Sequence, residues 1–231
     1  MMKHGGASRA RIRALVFDAY GTLFDVHSVA AKCEQCFPGR GQALSAIWRT
    51  KQLEYTWLTS LMGRYRDFSE LTEASLRYAC GALQLDLVEG QVVELLAAYQ
   101  HLSPFPEVRS TLQVVSSLPL AVLSNGAPDM LNALMRNSGL AAYFAHIISV
   151  DEVGVFKPDP RVYALAPQKL NVAREEIAFI SSNGWDAAGA AAFGFRVFWI
   201  NRGGLPREQL ESEPEAILDD LSQLPAHVAS R

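Results

Sequence analysis

Five times along this chain a short apolar run stops abruptly at a cluster of small and polar residues, and this repeated step is the strongest constraint on its fold. Residues 13–18 read RALVFD and open onto Tyr20-Gly21-Thr22. Residues 119–123 (PLAVL) end at Ser124-Asn125-Gly126, residues 177–180 (IAFI) at Ser181-Ser182-Asn183-Gly184, and residues 195–200 (FRVFWI) at Asn201-Arg202-Gly203-Gly204. A weaker run, 145–150, leads through Asp151 to Lys157-Pro158-Asp159-Pro160. Runs this short, bounded by turn residues, read as buried strands opening into turns. Between them lie amphipathic stretches of helical length, at 106–117, 128–138, 160–170 and 185–193. Asp159 places an N-cap acceptor before a first-turn proline, and Pro128 opens its helix in the same way. Strands alternating with helices predict an α/β, Rossmann-like core: a parallel sheet with right-handed crossovers, flanked by helices.

Residues 25–100 break this alternation and read as helix after helix, around 27–36, 41–65, 69–82 and 87–99. The longest carries Leu44, Trp48, Tyr55, Leu58 and Met62 on one stripe and Leu53, Trp57 and Leu61 on a second. Two apolar faces predict a helix covered on more than one side, and hence a homodimer built largely by this segment. Pro104 and Pro106 mark the return to the sheet. The economical division is a core of 1–24 and 101–231 with a helical cap of 25–100 inserted after the first strand.

In an open α/β sheet the carboxyl ends of the strands converge on one crevice, where ligands bind. Asp18, Ser124, Lys157 and the residues 181–186 are therefore expected to be neighbours despite their separation in sequence. Composition narrows the partners. Of 231 residues 49% are apolar and 19% charged, with a formal net charge of −3, a soluble globular profile with no basic surface for nucleic acid. The basic cluster Lys3, His4, Arg9, Arg11 and Arg13 is read as a solvated tail. No apolar run approaches a membrane span, and the first one stops at Asp18, too early for a signal sequence, so a cytoplasmic location is expected. Three cysteines are too few for a disulfide framework, and Cys33 and Cys36, although spaced CxxC, lack the further ligands a zinc site needs.

Phe17-Asp18-Ala19-Tyr20-Gly21-Thr22-Leu23 resembles the first motif of the haloacid dehalogenase (HAD) superfamily, whose aspartate is the nucleophile. Leu123-Ser124-Asn125, Lys157-Pro158-Asp159-Pro160 and Ser181-Ser182-Asn183-Gly184-Trp185-Asp186 resemble its later motifs, in order, from about residue 13 to 204. The cap segment Trp48-Arg49-Thr50-Lys51-Gln52-Leu53-Glu54-Tyr55 is similar to the (S)-2-haloacid (L-2-haloacid) dehalogenase subgroup. Two departures from the superfamily's phosphatases bear on the chemistry. Where those enzymes usually carry a second aspartate two residues after the nucleophile, this chain has Tyr20. Where they usually carry adjacent acids for magnesium, only Asp186 is acidic. A leaving halide needs no proton and a monocarboxylate no magnesium, so cleavage of a 2-haloacid without metal or other cofactor is expected.

The resemblance implies the roles. Asp18 displaces halide at C2 to form an ester, with Thr22 and Lys157 positioning and polarising it. Ser124 and the N–H groups near Ala19 and Tyr20 hold the substrate carboxylate. Arg49 and Asn125 receive the halide, Trp185 closes the pocket, and Leu53 and Phe68 are candidates for its apolar wall. Ser181, Asn183 and Asp186 orient the water that hydrolyses the ester. Asp186 is also a candidate ion-pair anchor for Lys157, and Tyr163 either supports this network or simply packs. The runner-up is a phosphatase of the same superfamily acting on a small phosphate ester; a third reading is a non-catalytic protein that has kept the fold.

Overall fold

The computed structural model describes residues 10–228, so Lys3, His4 and Arg9 of the basic N-terminal cluster lie outside the described residues. Six parallel strands form one sheet in the order β3-β2-β1-β4-β5-β6: β1 Ala14–Phe17, β2 Leu120–Ser124, β3 His146–Ser149, β4 Ile177–Ser181, β5 Arg196–Ile200 and β6 Ala216–Leu218. Every residue of β1, β2 and β4 is buried, as expected of strands covered on both faces. β6 was not anticipated: three residues long, with Ile217 exposed, it is too short to show a period.

Register sets the geometry of the crevice. Phe17 lies opposite Val122 on one side and Ile180 on the other, so the chain leaves β1 at Asp18 beside the ends of β2 and β4. The order of connections reverses at β1, which makes its carboxyl end the switch point of the sheet.

Helices α5 (Val108–Val115), α6 (Pro128–Asn137), α7 (Pro160–Leu170), α8 (Gly184–Phe193) and α9 (Leu224–Val228) belong to the sheet, with α7 packed on β2 and β3 and α8 on β4 and β5. The side chain of Asp159 caps α7 by accepting from the Arg161 N–H at 2.9 Å. At α6 the residue before Pro128 is Ala127, so that helix has the proline but no side-chain cap.

Helices α1 (Ser28–Cys36), α2 (Gly41–Leu61), α3 (Phe68–Ala82) and α4 (Glu89–Ala98) pack chiefly on one another. The expected helix over 41–65 stops at Leu61, two residues before Gly63 takes a left-handed φ of +62°. Its buried face also departs from expectation. The covered residues are Gly41, Leu44, Trp48, Gln52, Thr56 and Thr59, whereas Leu58, Leu61 and Met62 are 42%, 84% and 62% exposed. Polar side chains occupy the inner stripe and part of the apolar set faces outward. Cys33 and Cys80 are buried thiols and Cys36 is half-buried, none of them in a disulfide.

Candidate active site

Asp18 follows the last residue of β1 and enters a tight turn in which the Ala19 carbonyl accepts from the N–H groups of Thr22, Leu23 and Phe24. Gly21 sits at φ +87°, a conformation that only glycine adopts freely, and this turn brings the Thr22 hydroxyl back to the aspartate. Thr22 Oγ1 donates to Asp18 Oδ2 at 3.0 Å and itself accepts from the Ser182 N–H at 2.8 Å. Asn183 Nδ2 donates to the same Asp18 oxygen at 2.9 Å and to the Tyr20 carbonyl at 3.1 Å. Lys157 Nζ lies 3.1 Å from Asp18 Oδ1 and 3.0 Å from Asp186 Oδ2. Asp18 is 6% exposed as a residue, and its carboxylate is held on both oxygens.

Lys157 is fully buried, which alone would depress its pKa, but the two carboxylates outweigh burial and hold it above its ordinary value. Burial pushes the Asp186 carboxyl upward, and Asp18 adds to the rise against the pull of Lys157 and of the Tyr163 hydroxyl. Tyr163 donates to Asp186 Oδ1 at 2.8 Å; burial and that carboxylate keep its phenol well above its usual value, so it stays protonated. Tyr163 thus both contacts the charged network and packs its ring on Phe179, Phe193 and Phe195.

On the other side of the nucleophile, Ser124 Oγ accepts from the Gly126 N–H at 3.1 Å, and Asn125 Oδ1 accepts from the Lys157 N–H at 3.0 Å. The Ala19 and Tyr20 N–H groups donate to no acceptor among the described residues. The Tyr20 ring stacks on Phe68 at 5.8 Å and meets Tyr99 edge-on at 6.2 Å. Its hydroxyl is buried and has no hydrogen-bond partner among the described residues; it lies against Gly126, where an added Cβ would be 2.8 Å from the ring. Glycine is needed there because of that approach. Ser181 Oγ accepts from the Asn183 N–H at 3.1 Å, so Ser181 shapes the 181–183 loop, whose Asn183 contacts Asp18 directly.

Arg49 is half-buried on α2 and acts electrostatically on the Tyr20 and Tyr99 phenols, while Asp18 acts on Tyr20 from the sheet side. Leu53, half-buried, follows one turn later. Trp185 meets Trp57 of α2 edge-on at 5.4 Å, and together with Phe156, Lys157, Pro158 and Leu210 they line a groove of about 410 Å³. Two carboxylates face the lysine, and no group of three or more His, Cys, Asp or Glu side chains suited to a metal occurs among the described residues.

Residues 12–194 match the family model of haloacid dehalogenase-like hydrolases. The chain belongs to that family. It is 48% identical over 216 residues (93% of this chain, 94% of the relative) to (S)-2-haloacid dehalogenase 2 of Pseudomonas sp. strain CBS-3. It is 50% identical over 206 residues (88% and 89%) to the (S)-2-haloacid dehalogenase of Pseudomonas sp. strain YL. A structure of L-2-haloacid dehalogenase from Xanthobacter autotrophicus with chloropropionic acid covalently bound superposes with a TM-score of 0.89 at 43% identity, covering 94% of this chain and 98% of that one. These proteins are what the chain resembles along nearly its whole length.

Two residues of this haloacid dehalogenase-like hydrolase went unassigned in the sequence. Arg202, just after β5, stacks on Phe105 with the guanidinium 3.8 Å from the ring centre. It donates to the carbonyls of Gly21 and Thr22 at 3.3 and 3.2 Å, to Ser182 Oγ at 2.9 Å and to Glu107 at 2.6 Å. It thus ties the turn after the nucleophile to the 181–183 loop and to the segment returning from the helices. Gln52, whose Oε1 accepts from Arg49 at 2.7 Å, is the second. The available signal for Arg202 was its place after a strand end; for Gln52 it was a polar residue on the Leu44–Trp48 stripe.

Proposed function

We propose that this protein hydrolyses (S)-2-haloalkanoic acids to (R)-2-hydroxyalkanoic acids and halide. The observation that carries the reading is the Asp18 carboxylate: buried, fixed by Lys157, Thr22 and Asn183, and followed by a tyrosine where a phosphatase would usually need a second acid. An Asp18 oxygen attacks C2 of the substrate from the face opposite the halogen. The carbon–halogen bond breaks, halide leaves with the electron pair, and an aspartyl ester forms with inversion at C2. The covalent chloropropionic acid in the Xanthobacter relative supports a bound intermediate of this kind.

The free N–H groups of Ala19 and Tyr20, with Ser124, suit the substrate carboxylate. The unpartnered Tyr20 hydroxyl supports a polar ligand in the same place, since an unsatisfied buried hydroxyl costs about 1–3 kcal/mol. Arg49 and Asn125 receive the halide, and Trp185, Leu53 and Phe68 shape the apolar wall.

Water, oriented by Asn183 and Asp186 with Ser181 holding the loop, then attacks the ester carbonyl carbon. Asp186 takes one water proton, which its upward-shifted pKa favours, and returns it to the departing 2-hydroxy oxygen as the tetrahedral intermediate collapses; the other water proton is lost to solvent, which restores the Asp18 carboxylate. Lys157 supplies the positive charge at the nucleophile and the leaving halide needs no proton, so the reading requires neither metal nor cofactor.

Helices α1–α4, within 25–100, form the cap over this site. The exposed Leu58, Leu61 and Met62 and the groove beside them support a homodimer through α2, and the free thiols suit a cytoplasmic enzyme.

The decisive experiment is a single turnover in ¹⁸O water with enzyme in excess. The label is expected on Asp18 while the hydroxy acid stays largely unlabelled, and later turnovers carry label into product. Label in the product hydroxyl during the first turnover means that water attacks C2 directly, and the reading fails.

A further inference from the structure

The polar stripe inside α2 is expensive unless it has work to do, because buried polar groups cost free energy that an apolar residue would not. Gln52 is fully buried, as is Thr72 on α3, and the two are joined: Gln52 Nε2 donates to Thr72 Oγ1 at 2.7 Å. Thr72 Oγ1 in turn donates to the Phe68 carbonyl at 2.6 Å, and Trp48 Nε1 donates to the Thr72 carbonyl at 2.8 Å. Gln52 also lies against Tyr99, whose phenol is pushed up to about 12 by burial and drawn back by Arg49 and by Gln52. Each side chain in this relay is fixed by the next, and its outlet is Arg49 Nη1, which donates to Gln52 Oε1 at 2.7 Å.

The choice of a neutral acceptor is informative. Two residues further along the same helix, and at the same spacing of three, Lys51 pairs with the carboxylate of Glu54 at 2.7 Å. Spacing therefore permits an ion pair at this helix, yet Arg49 is met by an amide. Among the described residues no carboxylate lies within ion-pair distance of Arg49. An amide fixes the direction of the guanidinium and leaves its charge uncompensated. A glutamate would hold it equally well and cancel the charge.

We propose that Gln52 is a positioning residue that aims Arg49 at the departing halide while leaving its full positive charge for the transition state. This deepens the dehalogenase reading and rests on it. Charge develops on the halogen only as the carbon–halogen bond breaks, so a fixed, uncompensated cation stabilises the transition state more than the bound substrate. Poorer leaving groups rely on that assistance more, and chloride leaves less readily than bromide.

The test measures the single-turnover rate of ester formation with 2-chloropropionate and 2-bromopropionate, alongside thermal melting, for wild type, Gln52→Glu and Gln52→Met. Gln52→Glu keeps the acceptor and neutralises Arg49; a loss of about 100-fold on the chloro acid is expected, the size seen when one transition-state donor is removed. Gln52→Met keeps the volume and the charge but frees the guanidinium, and a loss of about 10-fold is expected from misorientation. In both variants the bromo-to-chloro rate ratio rises at least about threefold, with KM little changed. A packing role moves neither that ratio nor the order of the two variants. Equal losses for both halogens that follow the fall in melting temperature overturn the proposal, as do rates within about twofold of wild type. Wild-type enzyme that releases no halide from either acid overturns the dehalogenase reading itself, and the proposal with it.

Discussion

Replacing Lys157 with methionine, an unbranched side chain one atom shorter that removes the charge, isolates the energetics of the site. The ammonium lies 3.1 and 3.0 Å from two carboxylates whose side chains are 8% and 0% exposed, and its own is 1% exposed. With an effective dielectric constant near 20, each contact is worth about 5–6 kcal/mol of attraction. Desolvation of the three groups, several kcal/mol each, and repulsion between the carboxylates offset most of this, so the intact cluster contributes little net stability. Removing the lysine alone leaves two buried carboxylates without a counter-charge, and the expected loss is about 3–5 kcal/mol, or roughly 6–20 °C in Tm. The sign of the pH effect follows from which state binds protons more tightly. In the wild type Lys157 is raised, so its contribution is present through the neutral range and is lost only as pH rises through that raised value. In Lys157→Met the Asp186 carboxyl, already pushed up by burial, loses the opposing pull of the lysine, so the folded state binds its proton more tightly and the deficit shrinks as pH falls from 8 to 5. Removing one carboxylate as well, in Lys157→Met/Asp186→Asn, is expected to recover at least about 2 kcal/mol. Urea denaturation at the two pH values measures all of this. A single variant as stable as wild type at pH 8, or a double variant no more stable than the single, refutes the assignment of a charged buried triad.

Arg202→Ala removes four hydrogen-bond partners and a ring contact from the loops that carry Thr22 and Ser182; stability should fall by about 2–3 kcal/mol and turnover by about 100-fold, measured by denaturation and halide release. Light scattering at micromolar concentration should give about twice the chain mass of 25.4 kDa, and Leu61→Glu on the exposed face of α2 should reduce it to the monomer; a wild-type mass near 25.4 kDa removes the dimer.

What could be read in advance divides along physical lines. The sheet was legible because buried parallel strands are short apolar runs with hard stops, and because the stops at Asp18, Ser124 and Ser181 carry polar residues that a strand end places at the crevice. The residues around Asp18 followed from the motifs, since chemistry at a strand end needs few packing partners to be recognised. Helix α2 was legible as a helix but not as a surface. Periodicity assumes that apolar side chains mark the inside, and here Gln52, Thr56 and Thr59 face in while Leu61 and Met62 face out. That rule fails where burial is set by a hydrogen-bond network instead of by transfer from water, because a polar stripe becomes tolerable only when partners such as Thr72, distant in sequence, satisfy it. Arg202 was hidden for a related reason: its partners come from residues 21, 22, 107 and 182, and no local window contains them. Both misses are polar residues whose neighbours exist only in the folded chain: Arg202 holds the turn after Asp18, and Gln52 holds Arg49. Departures from local pattern are expected where function overrides packing. The inward-facing glutamine of α2 is thus better evidence of a task at Arg49 than any apolar position on that helix.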